Sequence, residues 1–116
     1  MTARAGRWTV TISEAAKADL KNIQRWTAMN FGTAQAIRYE ETLQLAIEAL
    51  KSGRETVVLR EREHLGHGLF SFHVARQGRR GRHVLIVRLR KEQEWELVRV
   101  LHDSMDLASH IPGADE

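Results

Sequence analysis

The sequence lacks cysteine entirely and has a single proline among its 116 residues. Without cysteine, the chain has no disulfides, no thiolate metal ligands and no cysteine nucleophile. It also has no apolar run near the roughly 20 residues that a membrane-spanning helix needs. Residues 1–7 are polar and lack the apolar segment of a secretory signal peptide. These absences lead us to expect a cytoplasmic protein that does not enter a membrane.

Length and composition predict one globular unit. A chain of 116 residues with 42% hydrophobic and 28% charged residues is large enough for one core and too small for two. No internal repeat, linker or low-complexity stretch interrupts it. We therefore expect a single domain over residues 1–116, with a core at about 7–111 and tails at 1–6 and 112–116.

Apolar spacing in the first half predicts one strand followed by two helices. Residues 7–12 alternate between apolar and polar side chains, which is typical of a half-buried strand. Ser13 offers an N-cap hydroxyl to a first helix that runs to about Phe31. Gly32 ends this helix, and Thr33 is predicted to cap the second. Because the junction is so short, the two helices must form an antiparallel αα-hairpin.

The second half predicts a meander of strands. Residues 54–68 are charged and irregular, and only 57–59 could form a short strand. Apolar patterning then predicts strands over residues 69–75, 83–89 and 95–102, and a final helical turn over 107–111. We expect an α+β fold of order β-α-α-β-β-β, a small antiparallel sheet with an N-terminal strand and a packed αα-hairpin.

Positive charge is concentrated in one stretch, although the net charge is only +3. Residues 76–91 hold seven basic side chains and no acidic one. Such a stretch attracts nucleic acid or an acidic partner. The alternative is that its arginines only keep a hairpin turn soluble.

The polar residues suggest little chemistry by spacing alone. None of the six histidines has a recognised zinc spacing, so we expect no metal and no cofactor. The one serious catalytic candidate is RNA cleavage, with His102 as the acid and Arg99 as a phosphate clamp. The alternative is that Arg99 is a salt-bridged strand residue and His102 a polar strand terminus.

The end of the chain carries the most specific likeness to a known family. Arg99 and His102 enclose two apolar residues, and Met105, Asp106 and then His110 follow them. This pattern, preceded by the predicted helical hairpin, resembles the ParE toxins of the RelE/ParE superfamily of type II toxin–antitoxin systems. One departure is the serine before Met105, where many ParE sequences carry arginine.

The resemblance implies a RelE/ParE-like fold and a toxin that is not an enzyme. ParE proteins poison DNA gyrase and arrest growth, and a ParD-type antitoxin neutralises them. The resemblance further implies a hetero-oligomer with two copies of each chain or more, which represses its own operon and contacts promoter DNA only through the antitoxin. Two alternatives stay open: a RelE-like mRNA-cleaving ribonuclease, and a toxin-fold interaction module without toxicity.

The resemblance also implies where the target binds, and aromatic exposure with positive charge suggests where the antitoxin binds. The expected target-binding residues are Arg99, His102, Met105, Asp106 and His110. The expected antitoxin-binding residues are Trp26, Phe31, Arg76, Arg82 and Arg88. Alternatively, Met105 belongs to the core, Asp106 caps the last turn, and Trp26 and Phe31 fill the hairpin core.

Overall fold

The computed structural model describes residues 8–52, 59–77 and 79–111, apart from the side chains of residues 76 and 77. The elements are β1 (Thr9–Ile12), α1 (Glu14–Phe31), α2 (Thr33–Leu50), β2 (Arg60–Glu61), β3 (Leu69–His73), β4 (His83–Leu89) and β5 (Glu94–His102). Short 3₁₀ turns lie at Glu63–Leu65, Val74–Gln77 and Leu107–His110. The predicted tails, residues 1–6 and 112–116, lie outside the described residues.

The α+β class and the order of the predicted elements are confirmed, and the sheet is mixed rather than wholly antiparallel. Its strand order is β1-β5-β4-β3-β2, and β1 runs parallel to β5 while the other neighbours are antiparallel. A parallel pair requires a long connection, and here the helical hairpin and the meander together provide it. The prediction of a wholly antiparallel sheet is therefore wrong at one pair, because β1 and β5 run in the same direction.

One short strand differs from the prediction. β2 occupies only Arg60–Glu61 and pairs with Phe70 and Ser71 of β3. Of the strand predicted at 57–59, Leu59 is not in a strand, and residues 57 and 58 lie outside the described part. Charged side chains at an outer edge strand discourage pairing with other chains, which explains why β2 has no apolar pattern to recognise.

Local sequence explains where α1 begins and where it ends. The Ser13 hydroxyl accepts the Ala16 N–H at 3.0 Å and donates to the Val98 carbonyl at 2.8 Å, so it joins the start of α1 to β5. Gly32 adopts φ 95°, a conformation that favours glycine, and its N–H donates to the Ala28 carbonyl. The prediction that Thr33 caps α2 is wrong, because Gly32 holds the N-cap position and Thr33 is already helical.

The core has two halves, one on each face of the sheet. The hairpin packs on one face, where Leu43 and Leu50 meet Phe72 and Trp95. The 3₁₀ turns at Glu63–Leu65 and Leu107–His110 cover the other face, over a cluster that contains Leu65, Leu69, Val84, Ile86, Val98, Leu101 and Ile111. β4 is therefore buried on both faces. Within the described ranges, neither helix is long and apolar enough to cross a membrane.

Candidate functional site

Two large aromatic side chains are exposed at the end of α1. Trp26 is 59% exposed and Phe31 is 65% exposed, and their rings meet edge to face with centroids 5.7 Å apart. The alternative in which they fill the hairpin core is therefore wrong. Exposed aromatics that touch each other present a preformed apolar surface to a partner.

These aromatics form one wall of a groove of about 850 Å³ between the helical hairpin and the ends of β4 and β5. We call it the hairpin groove. Its apolar lining includes Ile23, Trp26, Phe31 and Ala34, its arginines are Arg38, Arg80 and Arg82, and its inner end holds Tyr39, His83 and His102. A mainly apolar concavity with a few polar groups is typical of a binding site.

The inner end of the groove is a hydrogen-bonded set of polar groups. The Tyr39 hydroxyl lies 2.7 Å from His83 Nδ1 and accepts the Arg82 N–H at 3.2 Å. The His83 ring meets the His102 ring edge to face at 5.4 Å. Burial, and next the nearby His102, lower the pKa of His83 to about 4, and burial raises the pKa of Tyr39. Both side chains are therefore uncharged at neutral pH.

Gly81 allows the backbone to approach Tyr39 closely. A Cβ at Gly81 would lie 2.5 Å from Val74 Cγ2 and 2.9 Å from the Tyr39 hydroxyl oxygen. Gly81 has an ordinary φ, so the requirement is for space and not for backbone conformation. The close approach keeps the segment from Arg80 to Arg82 against the groove.

Arg82 also joins a second network at the rim. Its Nε and Nη2 donate to the Asp103 carboxylate at 2.9–3.1 Å, and His73 Nε2 lies 2.8 Å from the same carboxylate. The Arg82 and His73 hydrogen bonds hold the pKa of Asp103 well below its usual range. Asp103 therefore stays ionised and balances the charge of Arg82.

Arg99, the first predicted target-binding residue, makes only internal bonds. Its Nε and Nη2 donate to the Asp19 carboxylate at 2.7 and 2.9 Å, and its Nη1 donates to the His110 carbonyl at 2.9 Å. Asp19 also accepts the Val100 N–H at 2.9 Å. The structure therefore agrees with the alternative in which Arg99 is a salt-bridged strand residue.

The other four predicted target-binding residues do not form one cluster. His102 lies in the groove, and its Nδ1 accepts the Ser104 N–H and lies 2.7 Å from the Ser104 hydroxyl. Met105 is 42% exposed, so the core alternative is wrong. Asp106 is exposed at the N-cap of the last turn and accepts the Ser109 hydroxyl, and His110 is half-buried beside Arg99. Target contact by these residues stays a prediction.

The predicted antitoxin-binding arginines also lie in different parts of the structure. Arg82 lines the groove, but Arg88 lies 3.8 Å from Glu96 on β5 and does not line it. The side chain of Arg76 lies outside the described residues. Arg79, from the same basic stretch, bonds Glu41, Thr42 and the Arg38 carbonyl on α2. Part of the positive stretch therefore fastens the β3–β4 connection to the hairpin.

Among the groove residues that sequence reasoning did not assign to a site are Arg38, Tyr39, Arg80 and His83. In the sequence, Tyr39 fits the apolar stripe of the second helix, and nothing in its spacing links it to His83, 44 residues away. The single usable signal was the arginine pair at 79 and 80 beside Gly81. Among the described residues, no group of three histidine, aspartate or glutamate side chains is placed to hold a metal.

The histidine at the inner end predicts a pH dependence of stability. The unfolded chain protonates His83 near pH 6.5, whereas the folded chain resists protonation down to about pH 4, so stability falls as pH is lowered through this window. The charged and titratable neighbours are His102, Asp103, His73 and Asp19. After allowance for partial exposure, we expect the free energy of unfolding to be about 2 kcal/mol lower at pH 4.5 than at pH 7. Urea unfolding at the two pH values measures this difference.

His83→Gln should remove most of that pH dependence, because glutamine retains an acceptor for Tyr39 and does not titrate. His67→Gln is the control, since the His67 side chain is 98% exposed. If the two variants show the same pH profile as the unsubstituted protein, the neutral burial of His83 is wrong.

Comparison with known proteins gives two kinds of match. The family model of the ParE toxin of the type II toxin–antitoxin system parDE matches residues 10–107. A solved structure of the chromosomal ParDE system from P. aeruginosa superposes with a TM-score of 0.69 at 15% identity, covering 84% of this chain and 97% of that one. This likeness shows a shared fold.

A second solved structure is more distant. The RelBE2 toxin–antitoxin complex from Mycobacterium tuberculosis superposes with a TM-score of 0.43 at 24% identity, over 83% of this chain and 98% of that one. The superposition is too loose to relate individual residues. No curated protein matches the sequence significantly.

Proposed function

The chain belongs to the ParE toxin family of type II toxin–antitoxin systems, and we propose that it inhibits DNA gyrase by binding and is neutralised by a ParD-type antitoxin. In this proposal the toxin stabilises the cleaved complex of gyrase with DNA and so arrests growth. It needs no cofactor. Family membership supports the target, and the hairpin groove supports the antitoxin.

The observation that carries the antitoxin proposal is the exposure of Trp26 and Phe31 in the wall of the groove. Aromatic side chains contribute most of the binding energy at many interfaces, because each buries a large rigid surface at low entropic cost. A segment of the antitoxin that covers them removes apolar surface from water. The resulting hetero-oligomer would contact promoter DNA through the antitoxin.

The bonding of Arg99 supports a toxin that acts without catalysis. The ribonuclease alternative requires the Arg99 guanidinium to hold a phosphate near His102. In the structure all three Arg99 nitrogens donate to Asp19 or to the His110 carbonyl, whereas His102 bonds Ser104 and faces the groove. A phosphate would have to displace a charge-assisted, bidentate ion pair to reach Arg99.

Expression of the chain alone in bacteria tests this proposal against its alternatives. We expect growth arrest with accumulated cleaved DNA and intact messenger RNA, and rescue by a co-expressed cognate ParD-type antitoxin. Arrest with cleaved messenger RNA and undamaged DNA would contradict it and favour the ribonuclease. Normal growth would favour an interaction module without toxicity.

A further inference from the structure

The chain after β5 presents a surface that is separate from the hairpin groove. We call residues 105–111 the C-terminal segment. Leu107 and Ile111 pack on the core cluster that lies on the sheet face opposite the hairpin. Met105 and Asp106 are exposed, and neither of them lines the groove. The segment is therefore anchored on one side and open to a partner on the other.

Two backbone hydrogen bonds of this segment are long. The Ser109 N–H donates at 3.2 Å and the Ile111 N–H at 3.5 Å, at or beyond the upper end of the usual range. The sheet supplies a shorter bond, because Arg99 Nη1 on β5 donates to the His110 carbonyl at 2.9 Å. A charged donor makes this bond stronger than one between two neutral backbone groups.

The direction of the bond to His110 is set by Asp19 on α1. The Asp19 side chain is 13% exposed, and its carboxylate accepts Arg99 Nε and Nη2 and also the Val100 N–H. Because the guanidinium is planar and rigid, a carboxylate that engages Nε and Nη2 also fixes where Nη1 points. A chain of contacts therefore runs from α1 through Asp19 and Arg99 to the His110 carbonyl.

We propose that Arg99 is a positioning residue for target binding: with Asp19 it fixes the C-terminal segment, so that Met105 and Asp106 meet the target in one arrangement. This inference rests on the proposed function. The Arg99 guanidinium itself does not touch the target, because all three of its nitrogens already donate to Asp19 or His110. The first residue of the terminal motif thus acts through the residues that the segment exposes.

Arg99→Lys in the full chain tests this inference. Lysine keeps a positive charge for Asp19, but its single nitrogen cannot take the places of all three arginine nitrogens. We expect the variant to inhibit gyrase supercoiling about 10-fold more weakly than the unsubstituted chain, and to bind a cognate ParD-type antitoxin within about threefold of it. A general loss of stability would weaken both activities alike.

Amide hydrogen exchange reports on the segment directly. In Arg99→Lys, exchange over residues 105–111 should be about 10-fold faster, while exchange in α2 stays unchanged. Arg90→Lys is the matched control, because Arg90 forms an ion pair with Glu96 at 3.2 Å and none with the segment among the described residues. We expect this control to leave both inhibition and exchange unchanged.

Asp19→Asn is the second variant, which decides the question if Arg99→Lys does not bind the antitoxin and so does not fold. It loosens the same guanidinium without altering Arg99. We expect it to weaken gyrase inhibition by about threefold to 10-fold, with faster exchange over residues 105–111.

The outcomes separate this inference from the proposed function. Inhibition by both variants equal to that of the unsubstituted chain would overturn the inference. Weaker inhibition by Arg99→Lys with unchanged exchange over residues 105–111 would also overturn it, because Arg99 would then contact the target itself. If the unsubstituted chain binds the antitoxin but does not inhibit gyrase, the proposed target is wrong and the inference fails with it. That failure is visible without any variant, so the two failures are distinguishable.

Discussion

Replacing Asp19 with alanine is expected to lower the free energy of unfolding by about 2–4 kcal/mol. The substitution leaves the Arg99 guanidinium, whose side chain is only 24% exposed, without its carboxylate. It also removes the acceptor of the Val100 N–H on β5. Asp19 covers β5 beyond the segment that pairs with β1, which ends at Leu97. Its loss therefore exposes a polar strand edge as well as an unpaired charge.

Urea unfolding measures this loss, and Glu48→Ala is the control. Glu48 forms an exposed helical ion pair with Lys51, which we expect to contribute less than about 0.5 kcal/mol. The loss for Asp19→Asn should lie between the losses for Asp19→Ala and Glu48→Ala, because an amide oxygen still accepts a hydrogen bond but carries no charge. If Asp19→Ala costs no more than Glu48→Ala, the ion pair does not hold Arg99, and its guanidinium is free to bind a target.

Replacing Trp26 with alanine is expected to weaken antitoxin binding by about 30- to 1,000-fold, the usual cost of removing a central aromatic anchor. Because Trp26 is 59% exposed in the free toxin, its loss should change the free energy of unfolding by less than about 1 kcal/mol. The toxin should therefore fold and arrest growth, while its antitoxin rescues growth poorly.

Met29→Ala is the matched control for Trp26→Ala. Met29 lies on the same helix and is 79% exposed, but it does not line the groove. We expect it to change antitoxin affinity by less than about threefold, because an apolar contact outside an interface contributes little. Equal losses for both variants would place the antitoxin over the outer surface of α1 and contradict the assignment of the groove.

The helices and the long strands could be predicted from the sequence because their causes are local. Ser13 and Gly32 mark the two ends of α1 by side-chain capping and by backbone conformation. Apolar runs with turn residues between them predict β4 and β5 within one residue of their observed bounds. The strand predicted at 69–75 is shorter, because the chain enters a 3₁₀ turn at Val74.

The chemistry of the site could not be predicted, because its pairs are distant in sequence. Asp19 and Arg99 are 80 residues apart, and Tyr39 and His83 are 44 apart. No periodicity links such pairs; the packing of the hairpin on the sheet brings them together. The family motif includes both Arg99 and His102, but it contains no information on which of them the fold uses internally.

Gyrase supercoiling and DNA cleavage in the presence of the purified toxin test the central claim most directly. We expect the toxin to inhibit supercoiling and to accumulate cleaved DNA, and the antitoxin to reverse both effects. Trp26→Ala toxin should inhibit equally and resist reversal, since its defect lies in the antitoxin groove. Normal supercoiling without cleaved DNA, at toxin concentrations that bind the antitoxin fully, would contradict gyrase as the target.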